Sequence, residues 1–161
     1  MIPEYKEITK EDLEKYQSLI LPMVYKELTE QEELDAEYIC ISSWLDGKPV
    51  GALVADLEEN GDMNLLSVWT VPDYRRMGIA SALLDKMTLI AVNIYEWEDN
   101  QYGDDVILKT MYSLSDKYRE VFEAWLMEND FSDFCILSEA DDDKPEIRSA
   151  TAEVHFYRMT K

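Results

Sequence analysis

The segment VWTVPDYRRMGIASALL, residues 68–84, combines residue types that together suit one chemistry, the binding of an anion. An apolar run ends at Val71 and meets Pro72. Arg75 and Arg76 stand side by side, and Gly78 opens a long apolar-rich stretch. Proline is common just beyond a strand, and glycine permits close packing or an unusual dihedral. The backbone N–H groups from about Met77 to Ala80 then lie in the first turn of a helix, where they lack helical partners. Those donors, at the positive end of the helix, attract an anion. Two guanidinium forks add charge and further donors. Ala80 is small enough for a phosphate group to lie against the turn, and a diphosphate suits the arrangement. The residues alone allow equally a surface turn whose arginines pair with nearby acids.

Other chemistries find less support. No GxGxxG follows the first strand, and no GxxxxGK[ST] occurs. His155 is the only histidine. Its ordinary pKa suits base work, yet in the alternation EVHFYR it shares a face with Glu153 and Tyr157, as a packing residue does. A single histidine and the lack of a CxxC pair lead us to expect no metal site. Cys40 and Cys135 read as buried free thiols. Trp69, two residues before Val71, is the best placed of the four tryptophans to form a pocket wall.

The elements that must hold the arginine turn follow from pattern. Strands are expected over residues 3–9, 38–45, 50–57, 64–71, 106–112, 131–139 and 152–159. Short polar turns at DGKP and EENGD make the 38–71 region an antiparallel meander. Thr9 with Glu11 and Asp12 suggests a helix start, running to Leu21, where Pro22 interrupts. A second helix is expected over 23–37, with Thr29 and Glu32 at capping-box spacing. Ala80, Leu83, Leu84, Met87, Ile90, Ala91 and Ile94 recur at three and four, which predicts a helix from Gly78 to about Trp97. Tyr118, Val121, Phe122, Trp125 and Leu126 form one stripe of a helix over 116–129. Residues 98–105 and 140–150 read as loops.

Length and charge bound the class. A chain of 161 residues, 47% apolar, fits one domain over residues 1–161 with a substantial core. The formal net charge is −20, from 35 acidic and 15 basic residues. That argues against nucleic acid or an anionic membrane as partner and permits a cationic one, such as an amine. The apolar runs are too short to span a membrane. The N-terminal MIPEYKEITKEDLEK is polar almost at once and does not read as a secretory leader, so a cytoplasmic protein is expected.

The segment 68–84 resembles the acyl-coenzyme-A motif of the GNAT N-acetyltransferase superfamily, Q/R-x-x-G-x-G/A after a strand ending in V-x-P. Val71, Pro72, Tyr74 and Arg75 lead into Gly78 and Ala80, with Leu83 and Leu84 following. GKPVGALVA, residues 47–55, is similar to the family's hairpin into its third strand, and the order of elements follows the family's layout. The resemblance implies an α/β (α+β) fold with a central mixed, mostly antiparallel sheet, splayed after strand four, and helices on both faces. It implies acetyl-coenzyme A as cofactor, its diphosphate held by Arg76, Met77, Gly78, Ile79, Ala80 and Ser81. Val71 matches the position whose backbone meets the pantetheine arm. A backbone N–H of the fourth strand is implied to polarise the acetyl carbonyl. The implied reaction is direct attack by a primary amine of a small molecule or peptide, and a homodimer is compatible with it.

The catalytic residues stay unassigned. Many relatives carry a tyrosine in N-x-x-A-x-x-x-Y-x-x-x-G-F. Over REVFEAWLMENDF, residues 119–131, Arg119 stands for the asparagine, Leu126 for the tyrosine, and Asp130-Phe131 for Gly-Phe. Tyr112 and Tyr118 flank the start of this helix as substitute acids or as packing aromatics. The fourth strand has no carboxylate. Asn64, Ser67 and Thr70 can hold a water there, while Glu58, Glu59 and Asp62 read as a solvated turn. The alternative to an enzyme is a GNAT-fold acyl-coenzyme-A-binding or regulatory module with little or no catalysis.

Overall fold

The computed structural model describes residues 2–34, 37–58, 62–95 and 105–155. Among these residues seven strands form one sheet: β1 Glu4–Glu7, β2 Tyr38–Leu45, β3 Lys48–Leu57, β4 Met63–Thr70, β5 Asp105–Tyr112, β6 Ser132–Ser138 and β7 Ile147–His155. Their spatial order is β1-β2-β3-β4-β5-β7-β6. All neighbours are antiparallel except β4 and β5, which run parallel. The expected meander is present. Its first turn is tight, with Asp46 at φ 53° and Gly47 at φ 75°, the pair of positive dihedrals that a two-residue hairpin asks for. β3 therefore begins at Lys48, opposite Leu45.

Two apolar layers sandwich this sheet. Helix α2, Ile79–Tyr95, and helix α3, Asp116–Glu128, contribute Ile79, Leu83, Leu84, Met87, Ala91 and Leu126 to one core. A 3₁₀ helix at Leu13–Leu19 and helix α1, Pro22–Thr29, contribute Leu13, Tyr16, Leu19 and Leu28 to the other. The helix expected before Pro22 is thus a 3₁₀ helix. Its buried residues Leu13, Tyr16 and Leu19 recur at three, the period of that helix. Asp12, not Thr9, precedes it, with no side-chain cap.

Pro22 starts α1 rather than interrupting a helix, because the missing N–H costs nothing in a first turn. Thr29 ends α1 instead of capping a second one. Its Oγ1 donates to the Lys26 carbonyl at 2.6 Å, and Lys10 Nζ donates to the Leu28 and Thr29 carbonyls at 2.9 and 2.7 Å. No helix follows over residues 30–34. β7 begins five residues before the expected start at 152, at Ile147. Cys40 is buried as expected, but Cys135 is exposed, because β6 is an edge strand with little cover. Trp97, Glu59, most of the 98–105 loop, the last residues of the final strand and the His155 side chain lie outside the described residues.

Candidate active site

β4 is bent before it reaches the arginine turn. Ser67 lies opposite Val54 and Leu65 opposite Ala55, so Leu66 is an extra residue in the ladder. Such a bulge kinks and twists a strand. Pairing with β5 covers only Met63↔Leu108, Asn64↔Lys109 and Leu65↔Thr110. Thr110 Oγ1 closes it with a 3.1 Å hydrogen bond to the Leu65 carbonyl. Beyond Leu65 the two strands part, six residues before Val71. The polar groups of β4 are mostly committed. Asn64 Nδ2 donates to Asp56 and Glu58, and Ser67 Oγ accepts the Leu21 N–H at 3.1 Å. Thr70 Oγ1 is buried with no partner among the described residues.

The turn itself separates the two arginines. Val71 N–H donates to the Val50 carbonyl at 2.9 Å, so it faces β3. Strand alternation then directs the backbone of Thr70 the other way, towards the parting. A short 3₁₀ turn covers Pro72–Tyr74. Arg75 folds back. Its Nε donates to the Thr70 carbonyl at 3.0 Å, and its guanidinium lies 4.4 Å from the Trp69 ring and 5.7 Å from Tyr118. Arg76 is exposed and sits at φ 67°, and Gly78 at φ 76°. Left-handed residues inside a turn bring successive N–H groups to one concave side, which is how backbone binds anions. Ala82 N–H donates to the Gly78 carbonyl. Gly78 is therefore the cap, and the N–H groups of Ile79, Ala80 and Ser81 precede the first helical bond.

Packing holds this turn in place. Ile79 is buried, and Met77 is half exposed. A Cβ added to Gly51 on β3 would come within 3.0 Å of Ile79 Cγ2 and 3.3 Å of the Trp69 carbonyl, so the start of α2 rests directly on the sheet. The Ser81 hydroxyl accepts from Trp125 Nε1 at 3.0 Å and from Asn129 Nδ2 at 3.2 Å, tying α2 to α3. A glycine in mid-strand signals such a close approach in sequence. The packing of Arg75 against Trp69 and Tyr118 has no local signal.

The chain belongs to the GNAT acetyltransferase family. The family model described as "Acetyltransferase (GNAT) family" matches residues 5–94, more than half of the chain, including the turn. No curated protein matches the sequence. Among solved structures, an acetyltransferase of the GNAT family from Staphylococcus aureus superposes with TM-score 0.66 at 14% identity, covering 94% of this chain and 99% of the other. An IAA acetyltransferase from Bacillus cereus gives 0.65 at 12%, with 95% and 100% covered. The PaiA N-acetyltransferase of Thermoplasma acidophilum, solved with coenzyme A, gives 0.59 at 15%, with 92% and 98% covered. At such identities the likeness concerns the fold.

The positions where this GNAT chain departs from the family pattern have structural counterparts. Leu126 is fully buried and offers no proton. Asp130 adopts φ 69° in place of the usual glycine. Asp130 N–H donates to the Met127 carbonyl and Phe131 N–H to the Leu126 carbonyl, a Schellman closure of α3. Tyr112 is buried and donates to Glu123 Oε2. Burial, then that carboxylate, pushes its pKa well above the ordinary phenol value. Glu123 also accepts from Arg148 at 3.0 Å. Arg148 and Arg119 both reach Glu146, at 2.7 and 2.9 Å. This network locks β5, α3 and β7 together and makes Tyr112 a poor proton donor. Tyr118 is partly exposed, edge-on to Trp69 at 5.7 Å. Among the described residues, no group of three or more metal-ligating side chains gathers, and no helix is long and apolar enough to cross a membrane.

Proposed function

We propose that this chain is one GNAT domain that moves an acetyl group from acetyl-coenzyme A to a primary amine of a small molecule or peptide. The observation that carries the reading is the turn between β4 and α2. Left-handed Arg76 and Gly78 lead into three N–H groups without helical partners, beside a parting of two parallel strands. Arg76, Met77, Gly78, Ile79, Ala80 and Ser81 hold the diphosphate through backbone N–H groups, with the Arg76 guanidinium adding charge from outside. The β4 edge beyond Leu65 pairs with the pantetheine arm. Thr70, rather than Val71, carries that contact, since Val71 N–H is spent on β3.

Bound there, acetyl-coenzyme A supplies an activated thioester whose carbonyl carbon a neutral amine attacks, with loss of thiolate. A β4 backbone N–H polarises that carbonyl, a donor fixed before reaction begins. Tyr118 is our choice for protonating the departing sulfur, because Tyr112 is held by Glu123; the nitrogen gives up its extra proton to solvent water, from which Tyr118 is reprotonated. Holding amine and thioester together contributes on the order of 7–11 kcal/mol, so weak acid–base machinery still permits turnover. The acidic chain favours a cationic acceptor and a cytoplasmic setting suits the cofactor.

A second reading, a cofactor-binding or regulatory module, draws on buried Leu126 and immobilised Tyr112. Calorimetry with acetyl-coenzyme A, followed by a broad amine panel read by mass spectrometry, separates the two. Binding with an acetylated amine supports the transferase. Binding with no product from any amine supports the module, and no binding refutes both.

A further inference from the structure

Thr70, the last residue of β4, is 7% exposed, and its hydroxyl is the one buried side-chain polar atom without a partner among the described residues. Buried polar groups in native proteins are nearly always paired. Other buried hydroxyls obey the rule: Ser42, Ser67, Thr88 and Thr110 all make hydrogen bonds. The exception has a defined position. Thr70 lies directly across the ladder from Gly51, and cross-strand partners point to the same face. A side chain on Gly51 would meet Ile79 and Leu83 of α2. The Thr70 hydroxyl therefore lies on the α2 face, under the helix turn whose N–H groups are open. Its backbone is directed to the gap between β4 and β5.

We propose that Thr70 Oγ1 is a binding group for the arm of the cofactor, donating its proton to an amide carbonyl between the diphosphate and the thioester. This rests on the cofactor reading above and adds a side-chain contact to it. The unmet hydroxyl is then a cost the free protein carries and the ligand removes.

Calorimetry on wild type, Thr70→Val and Thr70→Ser tests this with two probes. Coenzyme A carries the arm, and adenosine 3′,5′-bisphosphate carries only the nucleotide end. Thr70→Val is expected to bind coenzyme A roughly 3- to 10-fold more weakly, and Thr70→Ser to stay within about twofold of wild type. Both variants should bind the bisphosphate as wild type does. Free Thr70→Val should also melt about 2–4 °C higher, since it buries no orphan hydroxyl. Unchanged coenzyme A affinity in Thr70→Val overturns the inference and leaves the cofactor reading standing. So does an equal loss for both probes, which marks a general distortion of the turn. If wild type itself ignores coenzyme A, both readings fall.

Discussion

Replacing Arg76 separates what its charge does from what its backbone does. Its φ of 67° is costly for any residue with a Cβ, by about 1–2 kcal/mol. Arg76→Gly removes that cost, while the freer unfolded chain returns about 0.4–1 kcal/mol. The net gain is about 0.5–1 kcal/mol, or roughly 1–4 °C in Tm. Arg76→Ala keeps the strained backbone and deletes the guanidinium, so it gains nothing. In binding, the two variants should behave alike. The Arg76 side chain is exposed, and a screened pair is worth about 0.2–1 kcal/mol, roughly 1.4- to 5-fold in Kd. Backbone N–H groups from Arg76 to Ser81 remain in both. Thermal melts and coenzyme A calorimetry on the three proteins give every quantity. A hundredfold loss in either variant would mean that the guanidinium, not the backbone cradle, holds the anion. An Arg76→Gly protein less stable than Arg76→Ala would refute the strain argument.

Asp130→Gly relieves the same dihedral problem at the end of α3, where φ is 69°, and should raise stability by about 0.5–1 kcal/mol in denaturant titrations. Tyr112→Phe removes a hydrogen bond to a carboxylate and should cost about 1–3 kcal/mol at neutral pH. The raised pKa of Tyr112 fixes the sign of its pH dependence: its contribution is whole below the ordinary value of 10.0 and is lost as pH rises towards the folded value. Melts between neutral and strongly alkaline pH should therefore fall more steeply for wild type than for Tyr112→Phe, and parallel curves would contradict the assignment. Burial pushes the Cys40 thiol up to about 12, while Cys135 is exposed. A thiol reagent at neutral pH should label Cys135 alone in the native protein and both cysteines after denaturation. Rapid native labelling of Cys40 would show that its cover opens easily.

The meander and the arginine turn were legible because their determinants are local. Asp46-Gly47 demands a tight hairpin, alternation marks the strands, and Pro72, Gly78 and the apolar repeat of α2 sit in consecutive positions. What was misread depends on distant partners. Thr29 with Glu32 has capping-box spacing, yet Lys10 reaches from the far side of the 3₁₀ helix to close α1 at Thr29. β7 starts early at Ile147, beside Arg148, which is held by Glu123 on α3 as well as Glu146. Three-residue spacing of Leu13, Tyr16 and Leu19 fits either helix type until packing chooses. In the candidate site, the doublet Arg75-Arg76 reads as two equal cations. The Thr70 carbonyl and the rings of Trp69 and Tyr118 together turn Arg75 away from the turn. The parting of β4 from β5 begins earlier than residue 71 because the bulge at Leu66 bends the strand.

The central claim is that the turn from Arg76 to Ser81, with the adjoining end of β4, is where acyl-coenzyme A binds. Backbone amide NMR during a coenzyme A titration tests it most directly, because it reports the N–H groups themselves. The account predicts that the amides of Arg76, Met77, Gly78, Ile79, Ala80 and Ser81 shift most, together with that of Thr70, and that those of β1 and α1 stay still. Shifts confined to another surface, or a turn whose amides do not respond at saturating coenzyme A, would contradict it.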